Sequence, residues 1–293
     1  MKRIEGSMVA LITPFNEDGS INFDKLGELI EFHISHKTDG IVLLGTTSES
    51  PTMSHEEDAE IVKFAVDLAK GRIPLIASSG SNCTRTVIQK SLQFQELGVD
   101  ALMTIAPYYN KANEEGMYRH FADVADVVDI PILLYNVPGR TGCSIPVNVV
   151  GRLAEHKNIM GIKEASGDLG YGAKVARFLS DDFVMYSGND DTILPTLSLG
   201  GSGVISVWAN LMPDTVHDMV IDYLSGNIKK ATKTQIKYLD LINDLFIEVN
   251  PIPIKEAMNI MNMGVGGYRM PLCPMSETNR AVLKKEMERM GLI

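Results

Sequence analysis

Three observations predict a closed (β/α)8 barrel followed by a three-helix C-terminal appendage. Short apolar, β-branched stretches recur eight times along the 293 residues, amphipathic segments of helical period alternate with them, and after about residue 225 helical periodicity continues without strands. The strand candidates cover residues 8–13, 40–44, 73–77, 101–105, 130–135, 159–163, 183–186 and 203–207. Their apolar character suits strands covered on both faces, as in a parallel sheet. Helical patterns between them include residues 23–36, 55–70, 84–97 and 114–127. A doubly wound open sheet is the rival fold, and it would want a Gly-rich phosphate loop after its first strand. That place holds Thr13-Pro14-Phe15-Asn16, which is no such loop. The last three helices are expected at 229–249, at 253–263 after a Pro-x-Pro break, and at 276–290 opening on Ser276-Glu277. The division predicted is a barrel over 1–225 and a helical unit over 226–293, packed on the barrel.

Composition narrows the function. The formal net charge is −10 and no Lys/Arg cluster occurs, which argues against nucleic acid and against an anionic membrane surface. An anionic substrate would need a local cationic pocket. Cys83, Cys143 and Cys273 are far apart, odd in number and outside any CxxC pair. They read as reduced thiols in buried, small-hydrophobe roles, with no disulfide framework and no zinc site. The six histidines are scattered over helical segments without a His-x-His pair, so no metal is expected. Residues 1–5 have no signal-peptide apolar core, and no apolar run is long enough to span a bilayer. A cytoplasmic location is the expectation.

Functional groups of such a barrel collect at the C-terminal ends of its strands. Lys163 ends the apolar run at 159–163, where desolvation disfavours an ammonium and favours an amine able to attack a carbonyl and form a Schiff base. The other strand ends carry Gly45-Thr46-Thr47-Ser48-Glu49, Tyr108-Tyr109-Asn110, Tyr135-Asn136-Val137-Pro138-Gly139-Arg140-Thr141 and Ser187-Gly188-Asn189-Asp190. Each has a plainer reading: a lysine paired with Glu164 or reaching to solvent, a helix cap at Thr46 and Thr47, a core-edge tyrosine, a solvated turn arginine. Together they suit imine chemistry on a keto acid. Lys163 supplies the amine, and Tyr135, one strand away, moves protons through a phenol that is both donor and acceptor. Thr46 and Tyr109 extend a hydroxyl chain from Tyr135. Thr46 and Thr47 amides hold a carboxylate, and Arg140 offers a two-pronged fork for a second one.

Those motifs, with Gly161-Ile162-Lys163-Glu164-Ala165-Ser166 and Asn250-Pro251-Ile252-Pro253, fall in an order that resembles the dihydrodipicolinate synthases, within the N-acetylneuraminate lyase superfamily of Schiff-base aldolases. The resemblance covers nearly the whole chain. It implies condensation of pyruvate with L-aspartate 4-semialdehyde in lysine and diaminopimelate synthesis, without cofactor or metal. It implies a homotetramer of two tight dimers, with Tyr109 reaching into the neighbour's site, and pocket roles for Gly188 and Ile205. The Gly-Arg-Thr continuation at 139–141 separates the chain from sialic acid lyases. Alternatives left open are another pyruvate-dependent aldolase and a non-catalytic barrel that binds a keto acid. Ser48 stands where the resemblance has a glycine, a source of strain if that position requires φ > 0. The inhibitory lysine cleft of the family matches Ser50, Pro51, His55, Asn82, Thr86 and Tyr108, with Thr86 replacing the glutamate that pairs with a lysine ammonium. Insensitivity to lysine is therefore expected.

Overall fold

Strand pairing follows chain order all the way round. In the computed structural model, which describes residues 4–293, parallel strands β1 (Gly6–Ala10), β2 (Gly40–Leu43), β3 (Leu75–Ser78), β4 (Ala101–Ile105), β5 (Ile132–Asn136), β6 (Ile159–Glu164), β7 (Val184–Ser187) and β8 (Gly203–Ser206) close into one barrel. The closure is β8 on β1, with Met8 opposite Ile205. This is the fold expected, with shifts of register at some ends. β1 starts two residues before the predicted 8–13 and stops at Ala10. Beyond it the Leu11 amide still donates to the Val42 carbonyl (3.1 Å), but the Ile12 amide donates to the Asn210 side chain (3.2 Å) instead of a strand. β3 and β5 begin two residues late, since Pro74 and Pro131 precede them and have no amide to enter a ladder.

Side chains alternate between two apolar layers. The barrel interior is filled by Met8, Val42, Ile76, Met103, Leu133, Tyr135, Val184, Tyr186 and Ile205. The opposite strand faces pack under helices α1 (Phe23–Ser35), α2 (His55–Ala69), α3 (Thr84–Leu97) and α4 (Glu114–Ala125). They continue under α5 (Pro138–Thr141), α6 (Val147–Ala154), α7 (Leu169–Val175), α8 (Ile193–Ser198) and α9 (Pro213–Leu224). Ser54 and Glu57 form a capping box at α2, and Ser276, as expected, caps the last helix.

The appendage consists of α10 (Ile228–Asp244), α11 (Ile252–Ile260) and α12 (Glu277–Met290). Ala231, Leu241, Ile242, Ile254, Leu283 and Met287 belong to the same apolar cluster as the barrel's outer layer. α10 ends five residues before the predicted 249. Residues 245–249 instead turn the chain so that Asn250 and Pro251 reach the barrel mouth.

Two cysteine assignments need correcting. Cys83 and Cys273 are exposed and only Cys143 is half-buried, so a small-hydrophobe role fails for the first two. Cys83 occupies the N-cap of α3, and Cys273 lies in the loop between α11 and α12, neither of which faces a core. The leader reading of residues 1–5 falls partly outside the described residues. No helix among the described residues is long and apolar enough to cross a membrane, and no group of three His, Cys, Asp or Glu among them is placed to hold a metal.

Candidate active site

Register brings the amine and the phenol together. Tyr135 of β5 is the ladder partner of Lys163 on β6, so both side chains leave the sheet on the same face, into the barrel mouth. The Lys163 Nζ lies 4.5 Å from the centre of the Tyr135 ring, and both residues are 6% exposed. Lys163 is not paired with Glu164. The next residue along a strand points to the opposite face, and Glu164 accepts there from the Asn136 side chain (2.7 Å) and the Ser166 amide (2.6 Å). Burial pushes the Glu164 carboxyl up, against those hydrogen bonds. Gly188, at the end of β7, leaves room for the lysine stem. A Cβ there would come within 3.0 Å of Lys163 Cε and 2.5 Å of the Ala165 Cβ.

Beside the lysine, Asp190 is fully enclosed and accepts from the amides of Val207 (3.0 Å) and Trp208 (2.9 Å). Burial raises its carboxyl, while the Ser206 hydroxyl, those amides and the positive charge of Lys163 favour the ion.

Above β2 the chain makes a one-turn 3-10 helix over Thr46–Ser48. Its internal bonds begin with the Ser48 and Glu49 amides, which donate to the Gly45 and Thr46 carbonyls, leaving the Thr46 and Thr47 amides at the open N-terminal end. Ser48 carries no strain. The left-handed residues are Leu44 (φ 57) and Glu49 (φ 59) on either side of the turn, and the buried Ser48 hydroxyl donates to the Leu11 carbonyl at 2.6 Å. The glycine-specific conformation considered for this position is not adopted.

Thr46, Tyr108, Tyr135, Arg140 and Asn250 line one cavity of about 460 Å³. Arg140 is exposed at its rim, and no carboxylate among the described residues is within ion-pair distance. Its guanidinium donates to the Asn250 carbonyl (3.1 Å), while the Asn250 side chain donates to the Thr47 hydroxyl (3.1 Å). Asn250 therefore ties the two proposed carboxylate sites together. The Asn250-Pro251-Ile252-Pro253 segment stands out in the sequence through the resemblance and through its helix-breaking Pro-x-Pro, which takes the chain out of the helix here.

Lys163, Thr47, Gly188, Ile205 and Tyr109 are not among the residues that line this cavity. Ile205 is wholly buried in the barrel interior. Tyr109 is 91% exposed at φ 67. The same cavity extends past Ser50, Pro51, His55, Thr86 and Tyr108 to a buried pair on α2 and α3, Asp58 and Lys90, 2.8 Å apart. Nothing in the sequence pattern had signalled that pair.

The whole chain has close relatives. It is 52% identical over 294 residues to the 4-hydroxy-tetrahydrodipicolinate synthase of Clostridium tetani, covering 100% of both chains. The crystal structure of dihydrodipicolinate synthase from Aquifex aeolicus superposes with a TM-score of 0.96 at 40% identity, covering 98% of each chain. A structure described as the first monomeric dihydrodipicolinate synthase variant matches with a TM-score of 0.96 at 34% identity, covering 99% of this chain and 98% of that one. Residues 3–290 match the Dihydrodipicolinate synthetase family, and the chain belongs to that family.

Proposed function

We propose that Lys163 is the nucleophile that binds pyruvate as an imine and that Tyr135 moves the protons of imine and enamine formation. The chain is a Schiff-base-forming lyase that condenses pyruvate with L-aspartate 4-semialdehyde to give 4-hydroxy-tetrahydrodipicolinate, in lysine and diaminopimelate biosynthesis. The observation that carries the residue assignment is the paired register of Tyr135 and Lys163, with the amine 4.5 Å from the ring centre in a closed apolar barrel. Attack of the amine on the keto carbon expels water. The protonated imine then acts as electron sink while a methyl proton leaves, so the enamine carbon can attack the aldehyde. The enclosed mouth keeps bulk water from the imine.

Thr46 and Thr47 amides receive the pyruvate carboxylate, and Arg140, free of any carboxylate among the described residues, receives that of the semialdehyde. Gly188 gives the lysine its space, and Ile205 belongs to the apolar barrel interior. Tyr109, exposed on its loop, completes the proton path of a neighbouring subunit in a homotetramer of two tight dimers. A biosynthetic enzyme with three free thiols suits the cytoplasm. The cavity past Thr86 is not a lysine effector site. Its buried anion, Asp58, is already neutralised by Lys90.

Steady-state turnover decides the reading. Pyruvate with L-aspartate 4-semialdehyde is expected to give cyclised product at a kcat/KM far above that for any sugar or simple aldehyde. An imine with pyruvate but faster turnover of another aldehyde would move the chain to the other pyruvate aldolases, and no imine would leave a keto-acid-binding barrel.

A further inference from the structure

Among the described residues, Lys255 of α11 is the one charged residue in the set of largest fully enclosed side chains. Its Nζ donates to Glu49 Oε1 (2.8 Å) and to the Thr13 carbonyl (3.0 Å), and it lies 4.4 Å from the Phe15 ring centre and 5.4 Å from that of Tyr268. Both side chains of the pair are 0% exposed, and 206 residues separate them in sequence. The second carboxylate oxygen of Glu49 accepts from the Arg269 amide at 3.1 Å. An ion pair buried this deeply stabilises a fold no better than apolar residues of the same volume, so stability alone does not account for it.

The pair holds something of consequence. Glu49 closes the turn that presents the Thr46 and Thr47 amides, and its own amide donates to the Thr46 carbonyl. It does so at φ 59, ψ 29, a left-handed conformation that is strained for a non-glycine residue. Released from its anchor, residue 49 would relax out of that conformation and rotate the turn. We propose that Lys255 and Glu49 are positioning residues for the carboxylate-binding turn, through which the C-terminal helices set the affinity of the site for the keto acid. The inference rests on the reading of that turn as the pyruvate carboxylate site. It assigns the appendage a part in catalysis without contact with substrate.

Lys255→Met, Glu49→Gln and the double variant separate this role from a purely structural one. In the full-length single variants, half-saturation by pyruvate should rise about tenfold or more, in borohydride trapping and in turnover. The yield trapped at saturating pyruvate and the KM for the semialdehyde should stay near wild type. The double variant, which leaves no unpaired buried charge, should regain the thermal midpoint lost by the singles but not the pyruvate affinity. If the singles do not fold, the double variant carries the test alone. Pyruvate half-saturation at the wild-type value in a folded variant would overturn the inference. So would loss and recovery of both substrate affinities in step with thermal stability. A wild-type chain that traps no pyruvate would overturn the reading of the turn, and this inference with it.

Discussion

Tyr135, at the end of β5, and Thr46, in the turn after β2, line the same cavity but are held by different parts of the chain. Tyr135 and its ladder partner Lys163 sit on adjacent barrel strands, and neighbouring rungs fix them. The Thr46–Ser48 turn and Arg140 sit on connections whose anchors come from far away in sequence: Leu11 for Ser48, Lys255 for Glu49, and Asn250 for Thr47 and Arg140. On the proposed reading, the imine chemistry is built into the sheet and substrate recognition into loops that the C-terminal segment anchors. Damage to the first should abolish reaction, whereas damage to the second should weaken a particular substrate.

The largest effect expected is that of Lys163→Ala, a loss of turnover on the order of 10⁴-fold or more, measured in steady state, because no second amine stands at the strand ends. Tyr135→Phe keeps the ring against the lysine and removes only the hydroxyl, so kcat should fall roughly 10²–10⁴-fold while the thermal midpoint holds. Arg140→Ala belongs to the recognition side. It should leave the pyruvate imine intact and cost about 2–5 kcal/mol in kcat/KM for the semialdehyde. Equal losses for pyruvate trapping and semialdehyde turnover in that variant would erase the distinction between the two regions.

Legibility in sequence followed the same division. The strands announced themselves through short apolar runs, and Lys163 and Tyr135 through being polar ends of such runs, a local signal. The anchors had no local signal. Glu49 read as part of a turn motif, Lys255 as one lysine among many, and Asp58 and Lys90 as ordinary helix-surface charges, because each gains its meaning from a partner 32 to 206 residues away. Tyr109 is the intermediate case. Its motif was visible, yet at 91% exposure its side chain makes little contact with its own chain. At Ser48 the condition for strain, a positive φ, is not met: the left-handed residue is its neighbour Glu49.

Away from the site, the helical layer should set the acid limit of the fold. Burial pushes His33 down to about 3 and His120 down to about 4, from the ordinary 6.5. Between those values and 6.5 the unfolded chain binds protons that the native chain refuses, so stability falls as pH falls through that window. The thermal midpoint should therefore drop below about pH 6.5, and His33→Gln should flatten the decline. A midpoint independent of pH between 7 and about 4 would contradict the burial argument. The smallest effect expected is no effect. With Thr86 supplying no anion and Asp58 paired with Lys90, L-lysine at about 1 mM, which corresponds to an affinity near −4 kcal/mol, should leave turnover unchanged. Half-inhibition below that concentration would show an anion available in the cleft.

On the proposed reading the sheet, through the Tyr135–Lys163 register, carries the imine. Borohydride reduction of the wild-type chain with pyruvate, followed by peptide mapping by mass spectrometry, tests it directly. The account predicts one reduced pyruvate adduct per chain, on Lys163, formed also in Arg140→Ala and absent from Lys163→Ala. An adduct on any other lysine, or a wild-type-like adduct in Lys163→Ala, would contradict it.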